Sequence, residues 1–199
     1  MKYLLIILIL SSSAFAENKA GLLVEPMITY DQSDFEVDYP SPPGSTNGDL
    51  TGAGIGARVG FHIYESLLIG ADLRYSKIKF NDKDNDNKSD ASSYNFGPTV
   101  VLQLPTPISL RVWGGYILKG ELDPKKTNGF DVKFEDASGY RLGAGLMLGT
   151  ISFNLELKDI TYKKSKLESV GTLDTDTSFD NVELNNSGYV ASISFPFTL

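Results

Sequence analysis

Few residues of this 199-residue chain have side chains suited to catalysis or redox chemistry. Cysteine is absent, and His62 is the single histidine. A hydrolytic site built on serine and histidine therefore has only one candidate base, and a thiol nucleophile is excluded. The glycine-rich run 52–57 (GAGIGA) imitates a dinucleotide-binding fingerprint, but it continues with a period of two and no helical pattern follows it. We therefore reject a nucleotide site there.

An acidic stretch, 82–90 (DKDNDNKSD), has the spacing of a calcium loop. Its carboxylates occupy loop positions 1, 3, 5 and 9, namely Asp82, Asp84, Asp86 and Asp90. Ser93 stands where a calcium loop carries its bidentate glutamate, and the flanking patterns are those of strands, not helices. We expect a solvated hairpin loop here, with a metal site on these four carboxylates as the weaker alternative.

A further group of charged residues lies inside segments whose side chains alternate between apolar and polar. Alternation places successive side chains on opposite faces of a β-strand, and these charges all fall on the polar face. The set is five cations and three anions: Glu25, Arg58, Asp72, Arg74, Arg111, Arg141, Glu156 and Lys158. If the sheet closes, these groups must pair, because an isolated buried charge is costly. Glycines at 52, 54, 56, 60, 143 and 145 are expected to make room for the arginines.

The alternating segments number eight, and the connections between them are alternately long and short. Adjacent antiparallel strands place all long connections at one end of the sheet, and the last strand can pair with the first so that no edge stays open. Near Asp159 the alternation slips, because Ile160 and Tyr162 change phase, which predicts a β-bulge. The sequence thus predicts an all-β, eight-stranded antiparallel up-and-down barrel with strands at 21–30, 50–63, 67–80, 93–104, 108–118, 138–148, 151–163 and 186–199.

The first residues have the form of a secretory signal peptide. Lys2 precedes an apolar run, and Ala14-Phe15-Ala16 supplies a small-x-small cleavage site. We expect a signal peptide at 1–16 and the barrel domain at 17–199. No later stretch approaches the roughly 18 apolar residues of a membrane helix.

The net charge of −7 argues against nucleic acid as a partner, and no cofactor is expected.

Alternation alone does not say which face of the barrel points outward, so a soluble barrel with an apolar interior is the rival of a transmembrane one. The polar face is mostly Gly, Ser, Asn and Arg, which does not suit a soluble exterior. Aromatic residues also gather at both ends of the strands, as they do at membrane interfaces. We predict a transmembrane barrel with an aromatic belt of Tyr30, Tyr75, Tyr94, Tyr116, Tyr140, Tyr162 and Tyr189 at one end and Phe61, Phe153, Phe195 and Phe197 at the other.

This architecture resembles the small eight-stranded outer-membrane barrels of Gram-negative bacteria, the class of the OmpA membrane domain and OmpX. Such barrels commonly end in the pattern polar-x-Gly-x-x-apolar-x-apolar. The last eight residues, SISFPFTL, match it in part, with Ser194 in place of the glycine and Leu199 in place of a terminal aromatic. The resemblance implies a place in the cell outer membrane, contact with lipid and lipopolysaccharide, and insertion by the barrel-assembly machinery.

Function is predicted less directly than fold. Eight strands enclose a lumen that side chains can fill, so we expect a non-enzymatic cell-envelope barrel whose lumen is plugged by salt bridges. Its long acidic loops would meet extracellular ligands. One alternative is a narrow porin-like channel for ions or small solutes. The other, a lipid-A-modifying enzyme, needs a base at the outer rim, whereas His62 is adjacent to a short, periplasmic turn.

Overall fold

The computed structural model of the chain describes residues 21–40, 44–83, 87–104, 106–126, 129–179 and 182–199. The signal peptide predicted at 1–16 lies outside these ranges and stays a prediction. The described residues form strands and turns, and they contain no helix long and apolar enough to span a membrane.

The strands form one antiparallel sheet of eleven strands. They are β1 Leu22–Asp38, β2 Ser45–Tyr64, β3 Leu67–Asp82, β4 Asn87–Gln103, β5 Ile108–Ile117, β6 Lys119–Pro124, β7 Phe130–Leu148, β8 Ile151–Val170, β9 Leu173–Phe179, β10 Glu183–Ser194 and β11 Phe197–Thr198.

The sheet closes into a ring of eight strands. β5 and β6 together make one ring strand, since both lie between β4 and β7. β10 and β11 make another, which pairs with β1 in a single register from Met27–Ser194 to Leu23–Thr198. β9 lies outside the ring and pairs with the end of β8. The predicted eight-stranded up-and-down barrel is therefore confirmed, and its first and last strands close it.

The ring strands are longer than predicted at the end of the long connections. β1 and β2 remain paired as far as Asp38 and Ser45, and β7 and β8 as far as Phe130 and Val170. Much of the sequence predicted as loop, including all of β9, is therefore strand. Polar residues on both faces had suggested loops, but a barrel wall that leaves the membrane can be polar outside while its backbone ladder continues.

The barrel interior is stacked in layers, whose order can be read along β1 from the short-turn end. Leu23 comes first, Glu25 follows, and Phe35 and Val37 come last. Leu23 belongs to a lower apolar layer with Leu68, Val101 and Trp113. Glu25 belongs to the charge layer described below. The upper apolar layer consists of Phe35, Val37, Leu50, Ile78, Ala91, Ile117, Leu122, Phe134, Ala137, Ile160, Tyr162 and Leu184.

The β-bulge predicted near Asp159 is wrong. β8 pairs with β7 and with β10 without a register shift through this residue. Ile160 and Tyr162 keep the phase of the inward-facing Glu156 and Lys158. The apparent slip arose because the lumen itself changes from charged to apolar at this height, so an apolar side chain can face inward.

Most of the predicted aromatic belt lies on the outer surface. Tyr30, Tyr75, Tyr116, Tyr140, Tyr189, Phe61 and Phe153 are exposed, whereas Tyr94 and Phe195 are half-buried. Two assignments are wrong. Tyr162 is 1% exposed and belongs to the upper apolar layer, for the reason given above. Phe197 is 7% exposed; it begins the two-residue strand β11, after Phe195 and Pro196 have interrupted the closing ring strand.

Candidate functional site

The eight charged residues singled out in the sequence all lie inside the barrel. β1, β2, β3, β5, β7 and β8 contribute them, and each is buried because strand alternation turns it toward the lumen. Arginine, aspartate and glutamate are almost never fully buried unless paired. Their geometry therefore decides what this layer can do.

Glu25 is the acceptor nearest the short-turn end of the charge layer. Arg111 donates to it with both terminal nitrogens, from Nη1 to Oε1 and from Nη2 to Oε2, each at 2.7 Å. The Ser194 hydroxyl donates to Oε1 at 2.6 Å, and Arg58 Nη1 donates to Oε2 at 3.3 Å. The carboxylate is thus surrounded by charge-assisted bonds, which are the stronger kind.

Asp72 and Glu156 continue the charge layer across the lumen. Arg74 donates from Nε and Nη2 to Asp72 at 2.8 and 3.0 Å, and from Nη1 and Nη2 to Glu156 at 3.0 and 2.9 Å. Arg58 reaches Asp72 at 3.2 Å and Arg141 reaches it at 3.3 Å. Arg74 therefore bridges two carboxylates, and Arg58 links this group to Glu25.

Two neutral side chains complete the layer. Trp113 Nε1 donates to Glu156 Oε2 at 2.8 Å. The guanidinium carbon of Arg58 lies over the Trp113 ring, 5.0 Å from the ring centroid. That distance is within the range of a cation–π contact. Asn95 accepts a hydrogen bond from Arg141. The lower apolar layer is thus joined to the charge layer through Trp113.

Lys158 pairs with a residue that the sequence reading missed. Its Nζ lies 2.6 Å from Asp31 Oδ2, above the arginine cluster. Asp31 directly follows Tyr30, where the first strand was predicted to end, and so was assigned to a loop. With Asp31 included, the layer holds five cations and four anions.

Little free space remains around the charge layer. One void of about 10 Å³ lies beside Asp72, Trp113 and Arg141, and a second void of about 10 Å³ lies beside Asp31 and Tyr162. A cavity needs roughly 10–15 Å³ to hold one water molecule. In the described part of the barrel, these two voids do not form a passage between the ends.

The acidic stretch 82–90 does not assemble into one site in the described residues. Asp84 and Asp86 lie outside those residues. Asp82 ends β3 on its inward side and lines the barrel mouth, whereas Asp90 is exposed and bonds to Lys125 Nζ at 2.9 Å. The two described carboxylates therefore lie on different surfaces, and the metal site on all four carboxylates stays a prediction.

The structure instead brings together three carboxylates that the sequence did not suggest. Asp123, Asp131 and Glu168 have oxygens within 4.8 Å of one another on β6, β7 and β8. Lys133 Nζ lies 3.2 Å from Glu168. Burial, opposed by Lys133 but reinforced by Glu168, raises the pKa of Asp123. These residues were missed because all three lie in segments that the sequence predicted as loops.

The single histidine has the position expected of it. His62 pairs with Leu68 near the end of β2, just before the short turn to β3. It is half-buried and lies at the opposite end of the barrel from the carboxylates of Asp123, Asp131 and Glu168.

Known proteins were compared with the chain. The family model described as outer membrane protein beta-barrel domain matches residues 3–196. OprG of Pseudomonas aeruginosa is 15% identical, with a TM-score of 0.53, 92% of this chain covered and 98% of that one. Neisserial surface protein A is 16% identical (TM-score 0.45; 89% and 98% covered). The Escherichia coli outer membrane protease OmpT is 10% identical (TM-score 0.49; 94% and 100% covered).

No curated protein matches the chain. The likeness to OprG, at this identity, shows the fold alone, which is that of an outer-membrane barrel. The family match covers almost the entire chain and agrees with the closed ring of strands. The chain therefore belongs to the outer membrane protein beta-barrel domain family, and its place is the outer membrane.

Proposed function

We propose that this protein is a non-enzymatic outer-membrane barrel that does not conduct, supports the envelope structurally and presents its long-loop end to partners. The long-loop end of such barrels faces the medium. The observation that supports the proposal is a buried charge layer that lies between two apolar layers in the lumen.

Closure is supported by both charge and packing. An ion entering the lumen would have to displace side chains of the upper apolar layer, such as Leu50, Leu122 and Leu184, which have no exposed surface. It would then meet arginines whose charges are already balanced by carboxylates at hydrogen-bond distance. Transfer of an ion into such a space carries a large desolvation cost.

The charge layer also suits a mechanical role. Its ion pairs join residues that are far apart in sequence, such as Arg111 with Glu25 and Arg74 with Glu156, and so connect different walls of the ring. Connected, well-bonded polar networks rigidify a core. A barrel braced in this way keeps its shape while its outer end meets partners.

The long-loop end offers the surface for those partners. Asp34, Glu36 and Asp38 line the outer face of β1, and every residue of β9 is exposed. Extracellular ligands would bind here, and lipopolysaccharide would contact the wall just below. The proposed partners also include the lipid around the apolar outer face of the barrel and the barrel-assembly machinery that inserts it.

The proposal of a non-enzymatic role rests on where the histidine lies. A lipid-A-modifying enzyme with a serine–histidine pair needs its base near the outer rim, whereas His62 lies at the short-turn end. OmpT is a protease, but it is only 10% identical to this chain, and we do not extend its activity to this barrel.

Single-channel recording in planar bilayers tests this proposal against the alternative of a narrow channel. The wild type is expected to be silent. An Arg58→Ala, Arg74→Ala variant is expected to show at most brief openings, because both arginines bridge carboxylates in the charge layer while the upper apolar layer stays in place. The control is Lys77→Ala, Lys79→Ala, which removes two cations from the exposed outer side of β3 and should stay silent. Steady conductance of the wild type would overturn the proposal of a plugged lumen and support a channel for ions or small solutes.

A further inference from the structure

A cavity opens at the long-loop mouth of the barrel, above the upper apolar layer. Its volume is about 320 Å³. Its wall is mainly apolar and aromatic, and all of its residues come from the extended parts of β1 to β7 or from the turns between them. The apolar and aromatic lining residues are Phe35, Val37, Tyr39, Phe80, Pro124, Phe130, Val132 and Phe134.

The floor of this mouth cavity is formed by buried aromatic rings, and its entrance is apolar. Phe35 and Phe80 are stacked with ring centroids 4.2 Å apart, and Phe35 and Phe134 are both buried in the upper apolar layer. At the entrance Phe130 is 54% exposed and Tyr39 is 39% exposed. Exposed rings that converge on an apolar hollow outside the membrane are a feature of ligand sites.

The polar groups of the mouth cavity lie near its rim, and they do not favour an anionic ligand. Thr46 and Ser89 contribute hydroxyls, and Asp82 contributes a carboxylate. Among the described residues of the lining, Lys125 is the one cation, and it is held by Asp90 through a 2.9 Å ion pair. A bound anion would compete with Asp90 and approach Asp82, so the lining suits a neutral molecule with an apolar body and one hydroxyl at most.

We infer that the mouth cavity is a binding site for a small uncharged aromatic molecule of one or two rings. A cavity of about 150 Å³ lined by apolar side chains is large enough for benzene, and this one has about twice that volume. The flat stacked pair of Phe35 and Phe80 offers a ring face, and aromatic rings pair favourably by offset stacking. Because Leu50 and Leu122 are fully buried beneath the cavity, the molecule is held at the mouth and does not pass through.

Equilibrium dialysis of 2-naphthalenemethanol against the barrel in lipid nanodiscs tests this inference, with empty nanodiscs to subtract partition into lipid. We expect saturable binding of one molecule per barrel. Phe130→Ala should weaken binding several-fold by removing an entrance ring that is half exposed and adds little to folding. Val132→Glu should weaken it at least about tenfold, because binding would then desolvate a carboxylate. Leu173→Glu, on exposed β9 outside the cavity, is the matched control and should bind as the wild type does.

The competing outcomes are distinct. Binding no greater than that of empty nanodiscs overturns the site. Wild-type affinity in both Phe130→Ala and Val132→Glu moves any binding away from the cavity and equally overturns it. Equal affinity for 2-naphthoate would show recognition of an anion and overturn the assignment to neutral ligands. If Val132→Glu fails to fold, the result for Phe130→Ala still decides the test. The inference does not depend on whether the barrel conducts, so a silent wild type in planar bilayers would leave it unaffected.

Discussion

Replacement of Glu25 by glutamine tests the energetic role of the charge layer. Glu25 is 0% exposed and accepts hydrogen bonds from Arg111, Arg58 and Ser194. Glutamine keeps the size of the side chain but removes its charge and one acceptor. The layer would then hold five cations against three anions, with Arg111 losing its bidentate partner.

The size of the effect follows from this loss of balance. Removing one partner of a buried ion pair typically costs about 3–5 kcal/mol of unfolding free energy, because the remaining charge stays buried. We expect Glu25→Gln to fall in that range. Arg58→Met should cost less, because the ion pairs of Arg58 are among the longer ones, at 3.3 and 3.2 Å, and its removal lowers the surplus of cations.

The assay is equilibrium unfolding by urea in lipid vesicles, followed by the fluorescence of Trp113, the single tryptophan, which touches the charge layer. Glu36→Gln is the matched control, because Glu36 lies on the same strand but on its exposed side; it should change stability by less than about 0.5 kcal/mol. The reasoning is refuted if Glu25→Gln is as stable as this control, or if Arg58→Met is the more damaging change.

Two further predictions concern packing and the rim. Gly143→Ala should lower the unfolding free energy by about 1–3 kcal/mol, since its new Cβ would clash with the ring of Trp113. Gly114→Ala meets its nearest atom at 3.4 Å and should be tolerated in the same urea assay. Equal losses in the two variants would contradict this reasoning. The hydrogen bond from Lys83 holds the pKa of Asp49 below its ordinary value. The ion pair is therefore fully formed at a pH above the ordinary pKa of aspartate, and it is lost as the pH falls through the lowered pKa of Asp49. Lys83→Ala should raise the pKa of Asp49 in an NMR titration, and an unchanged value would disprove the pairing.

The barrel and most of its charge layer could be predicted because both depend on a period of two. Once the apolar side of each strand is taken to face lipid, residues such as Arg58 and Asp72 must face the lumen. The extracellular extension could not be predicted in the same way. Outside the membrane the outward face is polar, so the alternation that reveals a strand is weak at Asp34 or Asp123. For the same reason Asp31 was assigned to a loop and was not predicted as a member of the charge layer.

Other errors arose from contacts between strands, which a single sequence does not specify. The lumen glycines were expected to make room for arginines, but the close neighbour of Gly143 is Trp113, that of Gly56 is Met27 and that of Gly145 is Asn154. Strand order and register place these pairs together. The register of the strands also brings the carboxylates of Asp123, Asp131 and Glu168 together, and no spacing in the sequence indicates that they meet.

Chemical accessibility inside the lumen tests most directly the claim that the barrel is closed. The chain has no native cysteine, so single cysteines can be labelled without background. Thr46 lines the mouth cavity, whereas Ser76 is buried below the upper apolar layer. A charged methanethiosulfonate reagent applied to both sides of reconstituted vesicles should modify Thr46→Cys rapidly and leave Ser76→Cys unmodified until urea unfolds the barrel. Modification of Ser76→Cys at a rate comparable to Thr46→Cys in the folded protein would show an open lumen and contradict the account.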